Sequence, residues 1–147
     1  MIPRRRYPYR VLVPLLLLAL VSGCGSGRYP VAGRVTYEED GAPVEAGTVI
    51  GEATVEGKPV GVQGNIAKDG TFRWGGERAG DGALPGNYRV LVMPRALGDS
   101  ELGAGMVPAV DGKFARYETS GITIEVKPGK NELPITVTRP KRKPKGK

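Results

Sequence analysis

Cys24 is the one cysteine of a 147-residue chain that contains no histidine. A single thiol excludes an intramolecular disulfide. Without an imidazole it also lacks a general base and the usual co-ligand of zinc or copper. Serines occur only at 22, 26, 100 and 120, none in a Gly-x-Ser-x-Gly elbow, and turn chemistry before Gly121 accounts for Ser120. Asp99 and Glu101 are the nearest thing to an acid/base pair, but they fall in a polar loop with no sign of burial. Glu38-Glu39-Asp40 offers oxygen ligands without the spaced Asp/Asn pattern of a calcium loop, and reads as a solvated hairpin tip. Catalysis, a metal and a cofactor are therefore not expected. Trp74, beside Gly75-Gly76, either stacks on a sugar ring or caps a core, and its strand-end position favours the core. Phe114 and Tyr117 lie in the long stretch between Pro94 and Ser120 and pose the same choice.

The segment ahead of Cys24 gives its thiol a different use. Arg4, Arg5, Arg6 and Arg10 precede an apolar run from Val11 to Val21, broken only by Pro14, and the small residues Ser22 and Gly23 follow. As a helix such a run rises only ~16 Å, about half of a hydrocarbon core. That is the layout of a secretory signal and not of a transmembrane helix. Val21-Ser22-Gly23-Cys24 resembles a bacterial lipobox. The resemblance implies diacylglycerol on the Cys24 sulfur, cleavage before Cys24, and a new amino terminus as a further acylation point. Two or three palmitate-type chains, at ~0.8 kcal/mol per buried methylene, anchor stably where one is marginal. The expectation is a signal peptide over 1–23, then a lipidated cysteine and flexible tether over 24–28. The chain would be secreted across the inner membrane and held in the cell envelope. Gly25, where Asp would favour retention, favours the outer membrane.

The net charge of +7 is unevenly distributed. Four positive charges belong to the signal, and six more (Arg139, Lys141, Arg142, Lys143, Lys145, Lys147) lie in the last nine residues. Between Arg28 and Glu132 there are 12 basic and 15 acidic residues, a net of −3. Basicity belongs to the tail, and a nucleic-acid partner is not expected. The tail over 139–147, punctuated by Pro140 and Pro144, reads as extended and disordered. It either contacts anionic lipid headgroups or envelope polymer, at up to ~1 kcal/mol per charge, or simply solubilises.

Between tether and tail, short β-branched runs alternate with Gly/Pro turns. Strands are predicted over 29–37, 47–56, 60–67, 71–74, 88–93, 121–127 and 132–138. The last two, joined by Pro128-Gly129-Lys130-Asn131, read as a hairpin. The stretch from Pro94 to Ser120 reads as irregular. The fold class is all-β, a single antiparallel seven-stranded Greek-key sandwich over 29–138. Val31-Ala32-Gly33-Arg34-Val35-Thr36-Tyr37, Asp40-Gly41-Ala42-Pro43-Val44, Asp69-Gly70-Thr71-Phe72 and Leu84-Pro85-Gly86-Asn87-Tyr88-Arg89-Val90 resemble the carboxypeptidase-regulatory-like or transthyretin-like sandwiches. With Thr119 to Asn131 they are similar to the small lipoproteins of this type in planctomycete-like bacteria. The hydroxyisourate hydrolases on the transthyretin fold rely on histidines, which this chain lacks.

The expected function is a lipid-anchored, non-enzymatic envelope interaction or scaffolding module. Its partners are the membrane, through acyl chains on Cys24, and an envelope protein or anionic polymer. The alternative is a carbohydrate- or small-ligand-binding lipoprotein using Trp74 and the 94–120 loop.

Overall fold

The computed structural model describes residues 27–104 and 109–141. Seven strands form two sheets. They are β1 (Val31–Tyr37), β2 (Gly47–Val55), β3 (Lys58–Ile66), β4 (Thr71–Arg73), β5 (Gly86–Pro94), β6 (Ile122–Val126) and β7 (Asn131–Val137). One sheet has the order β4-β1-β7 and the other β3-β2-β5-β6. Alternation along each strand turns one apolar row inward. Val31, Val35, Tyr37, Phe72, Leu133, Ile135 and Val137 from the first sheet meet Val49, Val62, Ile66, Tyr88, Val90, Val92 and Val126 from the second.

The sequence reading needs two corrections. The sandwich is not wholly antiparallel, because β1 and β7 pair in parallel from Val31↔Asn131 to Tyr37↔Val137. The expected hairpin between the last two strands does not form either. β6 pairs with β5 and β7 with β1, so the intervening turn carries the chain from one sheet to the other. The Asn131 side chain closes that turn, its amide donating to the Lys127 and Gly129 carbonyls and its oxygen accepting from the Lys127 N–H. Side-chain bonds thus replace the ladder a hairpin would supply. β7 is an edge strand, and its odd positions bond β1, as the Asn131 N–H to the Pro30 carbonyl shows. Pro134 consequently occupies the outward-facing set, where a free edge would otherwise offer an N–H to another chain.

The stretch after β5 is also more regular than expected. It contains the helix α1 (Asp99–Gly103), a 3₁₀ turn (Gly112–Ala115) and the helix α2 (Tyr117–Ser120). Val110 and Phe114 from this stretch join the core. The buried Ser120 hydroxyl fastens the stretch to β5 by donating to the Val90 carbonyl at 2.5 Å.

Candidate functional site

Two clusters of charged side chains hold the two ends of the folded chain, and a cleft opens at one corner of the sandwich. The first cluster precedes β1. Tyr29 exchanges both backbone hydrogen bonds with Ala83, at 2.8 and 3.0 Å, which ties the incoming chain to the loop after β4. Just ahead of it, the Arg28 guanidinium lies 3.5 Å from Glu77 and 3.7 Å from Asp81, with its side chain only 12% exposed. Arg28 rests directly on Gly76, where any Cβ would collide with the guanidinium. Asp81 also organises the loop itself, accepting from the Gly76 N–H at 2.7 Å and the Arg78 N–H at 3.1 Å. Burial pushes the Asp81 carboxyl up, but those amides and the Arg28 charge outweigh it and hold its pKa below the ordinary value.

The second cluster follows β7. Because β1 and β7 run in parallel, the chain leaves the sheet beside the turn that closes β1. The Arg139 N–H donates to Glu39 at 2.9 Å, and its guanidinium meets Asp40 at 3.0 Å and Glu39 at 3.6 Å. The same guanidinium lies 3.8 Å over the Tyr37 ring, a cation–π contact. The Glu39 pKa is lowered chiefly by the Arg139 backbone N–H. The Asp40 pKa is lowered first by the Ala42 N–H and then by the Arg139 side chain. Glu39 and Asp40 lie exposed in the turn after β1, as expected of a solvated tip, and there serve as counter-ions to Arg139. One expectation changes here. Arg139, assigned from sequence to a disordered tail, belongs to the fold because its charge has fixed partners.

Of the remaining tail residues Lys141 is exposed, while Arg142, Lys143, Lys145 and Lys147 lie outside the described residues. Cys24 and the lipobox positions Val21, Ser22 and Gly23 also lie outside them.

The aromatic candidates do not assemble into a binding face. Trp74 is completely buried, packed against Phe72 and Tyr88 with ring centroids 6.3 and 5.5 Å away. Its six-membered ring occupies the space over Gly51, where a Cβ would come within 2.8 Å of the indole. A sugar cannot reach it, so Trp74 is withdrawn as a ligand contact. Phe114 is buried with the Lys113 ammonium 4.7 Å from its ring centroid. Tyr117 is half-buried and lies under the Arg89 guanidinium, which is itself paired with Glu52. Both rings are thus committed to neighbours within the chain. Glu101 is bound by Arg95 and the Gly98 N–H, which lower its pKa to about 2. That is the wrong direction for a general acid near neutrality.

The corner cleft was not foreseen. It measures about 730 Å³ and is lined among others by Gln63 and Asn65 of β3, Arg73 of β4, and Glu77 and Arg78 of the following loop. Its polar side chains all come from residues 63–78, which the turn between β3 and β4 folds back on themselves, and no local motif announces them. It can supply hydrogen bonds and positive charge to a polar ligand. Among the described residues no three Asp, Glu, Cys or His side chains gather closely enough to hold a metal ion.

No family model matches the chain, and no curated protein matches it. Among solved structures it is similar to a DUF3823 family protein from Parabacteroides merdae, at 17% identity and a TM-score of 0.45 over 76% of this chain. A DUF3823 family protein from Bacteroides ovatus is similar at 19% identity and a TM-score of 0.41, again over 76% of this chain. The chain spans 46% and 45% of those two chains, less than half the length of either.

Proposed function

We propose that this protein is a lipid-anchored, non-enzymatic β-sandwich serving as a cell-envelope interaction or scaffolding module, displayed on the outer membrane in preference to the inner. One observation carries the reading. The fold takes hold of the chain at Arg28, only four residues after the lipobox-like cysteine, and the clamp there is built from Glu77, Asp81 and Gly76. Four residue steps span at most ~14 Å, so acylation of Cys24 would seat the domain directly against the headgroups. None of the described helices is long and apolar enough to cross a membrane. The finer kinship, with transthyretin-like or carboxypeptidase-regulatory-like lipoproteins of planctomycete-type bacteria and with Greek-key connections, stays part of the proposal. Seven strands divided three and four support it.

The test is metabolic labelling with an alkyne fatty acid. The wild-type chain should carry label and sediment with membranes. Cys24→Ala should lose the label and accumulate precursor about 23 residues longer. Undiminished labelling of Cys24→Ala would overturn the anchor.

A second reading, binding of a polar sugar or small ligand, is favoured by the corner cleft and no longer by Trp74. Calorimetric titration of uronic-acid oligosaccharides should give heat that Arg73→Ala abolishes. Equal heat from that variant would remove the cleft from consideration.

A further inference from the structure

Eight arginines lie among the described residues, and their ion pairs divide them into two groups. Arg28, Arg89, Arg95 and Arg139 each meet a carboxylate. Arg34, Arg73, Arg78 and Arg116 meet none among the described residues. Three of those four, Arg34, Arg73 and Arg78, border two adjoining hollows. One is the corner cleft of about 730 Å³, and the other, of about 460 Å³, lies on the outer face of the β4-β1-β7 sheet. They share Ala32, Gly33 and Arg73 in their walls. Between Arg28 and Glu132 the chain carries a net charge of −3, so this gathering of guanidiniums runs against the composition around it.

Strand register explains the trough. Ala32 of β1 lies between Arg73 of β4 and Glu132 of β7, and Arg34 lies between Thr71 and Pro134. All six stand on the outer face, two residues apart along each strand. Ala32 is thus a short side chain between two long ones and forms the floor. Arg34 and Arg73 are diagonal neighbours about 7–8 Å apart, and Arg78 lines the corner cleft beyond Arg73. The Arg34 Nε donates to the Asp69 carbonyl at 2.8 Å, which holds its guanidinium on this face. The Asp69 carboxylate itself accepts from the Thr71 N–H and hydroxyl. Of the carboxylates lining the two hollows, Glu132 is paired with Lys130 at 2.8 Å and Glu77 lies 3.5 Å from Arg28.

The rest of the lining suits hydroxyl groups better than a peptide. Gln63 and Asn65 add side-chain amides, each able to donate and to accept. A peptide adding as a strand needs a continuous open edge, and the edges bordering the trough are interrupted. Gln63 already exchanges both backbone bonds with Gly75 at 2.9 Å, and the Thr71 N–H and carbonyl are taken by Asp69 and Ala67. Pro134 interrupts β7.

The geometry points to one continuous groove that takes an acidic polysaccharide. This rests on the ligand-binding reading of the corner cleft and extends the site out of the cleft onto the sheet. Carboxylates of successive uronic-acid units meet Arg78, Arg73 and Arg34 in turn, while Gln63 and Asn65 hold ring hydroxyls. Charges strung along a trough answer a repeating polymer, whereas a single compact anion calls for guanidiniums converging on one point.

The experiment is calorimetric titration of the full chain, kept in mild detergent, with a uronic-acid dimer and hexamer. The hexamer should bind at least about tenfold tighter than the dimer, the scale of one further charge-assisted hydrogen bond. Arg34→Ala should bring the hexamer down to the dimer's affinity and leave the dimer unchanged. Arg73→Ala should lose both ligands, and Arg116→Ala neither. Glu132→Gln removes a negative charge from the groove and should tighten the hexamer about threefold, the scale of one exposed charge contact. A misfolded variant cannot imitate that gain. If Arg34→Ala leaves hexamer binding intact while Arg73→Ala abolishes it, the corner cleft stands and the extended groove falls. Heat from neither ligand removes both. Equal affinity for a neutral glucose hexamer, or for a glutamate hexapeptide, would overturn the acidic polysaccharide as the occupant.

Discussion

Arg28 and Arg139 each close one end of the folded chain by setting a guanidinium against two carboxylates, yet their side chains are 12% and 42% exposed. The first is sunk onto Gly76 in a loop that its partner Asp81 also shapes, so ion pair and backbone depend on each other. The second lies over the Tyr37 ring at the surface, where water and salt reach it. Burial therefore divides the labour. The Arg28 cluster is part of what makes the fold, whereas the Arg139 cluster sets the direction in which the chain leaves a fold that already exists. The same chemistry gives a structural element at one pole and a solvent-responsive one at the other.

The largest expected effect tests whether the two poles share one frame. Trp74→Ala removes a fully buried indole and should cost about 3–5 kcal/mol, read by urea denaturation. Amide exchange at Tyr29 and at Arg139 should accelerate together. Faster exchange at one pole only would show that the core does not couple them. Next, Arg28→Ala removes a nearly buried side chain from over Gly76 and should lower the melting temperature, with little relief in 1 M NaCl. Arg139→Ala should lower the melting temperature less, and the difference from wild type should shrink in 1 M NaCl. Equal losses with equal salt response at both positions would erase the distinction drawn here.

The smallest effect concerns protons. The Glu39 and Asp40 pKa values are lowered in the fold, so their contribution is present above the unfolded values near 4 and disappears as pH falls through the lower folded values. The stability difference between wild type and Arg139→Ala should accordingly close below about pH 4. Because Glu39 leans mainly on a backbone N–H that the alanine retains, carboxyl NMR should find the Asp40 pKa rising more than that of Glu39. A larger rise at Glu39 would contradict the hydrogen-bond assignment.

Strand positions were legible because alternation and turn chemistry are local. Val31 to Tyr37, Thr71 to Arg73 and the run beginning at Ile122 were each found to within a residue or two. Strand partners were not legible. Alternation in Ile122-Thr123-Ile124 and in Leu133-Pro134-Ile135 says which residues turn inward, and is identical whether the strands pair with each other or join different sheets. The clamps escaped for a related reason, since Arg28 finds Glu77 and Asp81, and Arg139 finds Glu39 and Asp40, across long separations that no spacing rule anticipates. Trp74 was legible as a core residue in preference to a ligand contact, but the space that admits it comes from Gly51, two strands earlier. The helices at 99–103 and 117–120 are too short to show a helical period.

Side-by-side parallel terminal strands have a mechanical meaning. A pull between a held amino-terminal end and a held carboxyl-terminal end would draw β1 and β7 in opposite directions along their common axis. The seven paired positions from Val31↔Asn131 to Tyr37↔Val137 would then be loaded together in shear. Peeled from one end, the same ladder would open one rung at a time. Resistance to stretching is thus written into the strand directions of this domain, and tension applied through its two ends acts along the line on which it is hardest to part.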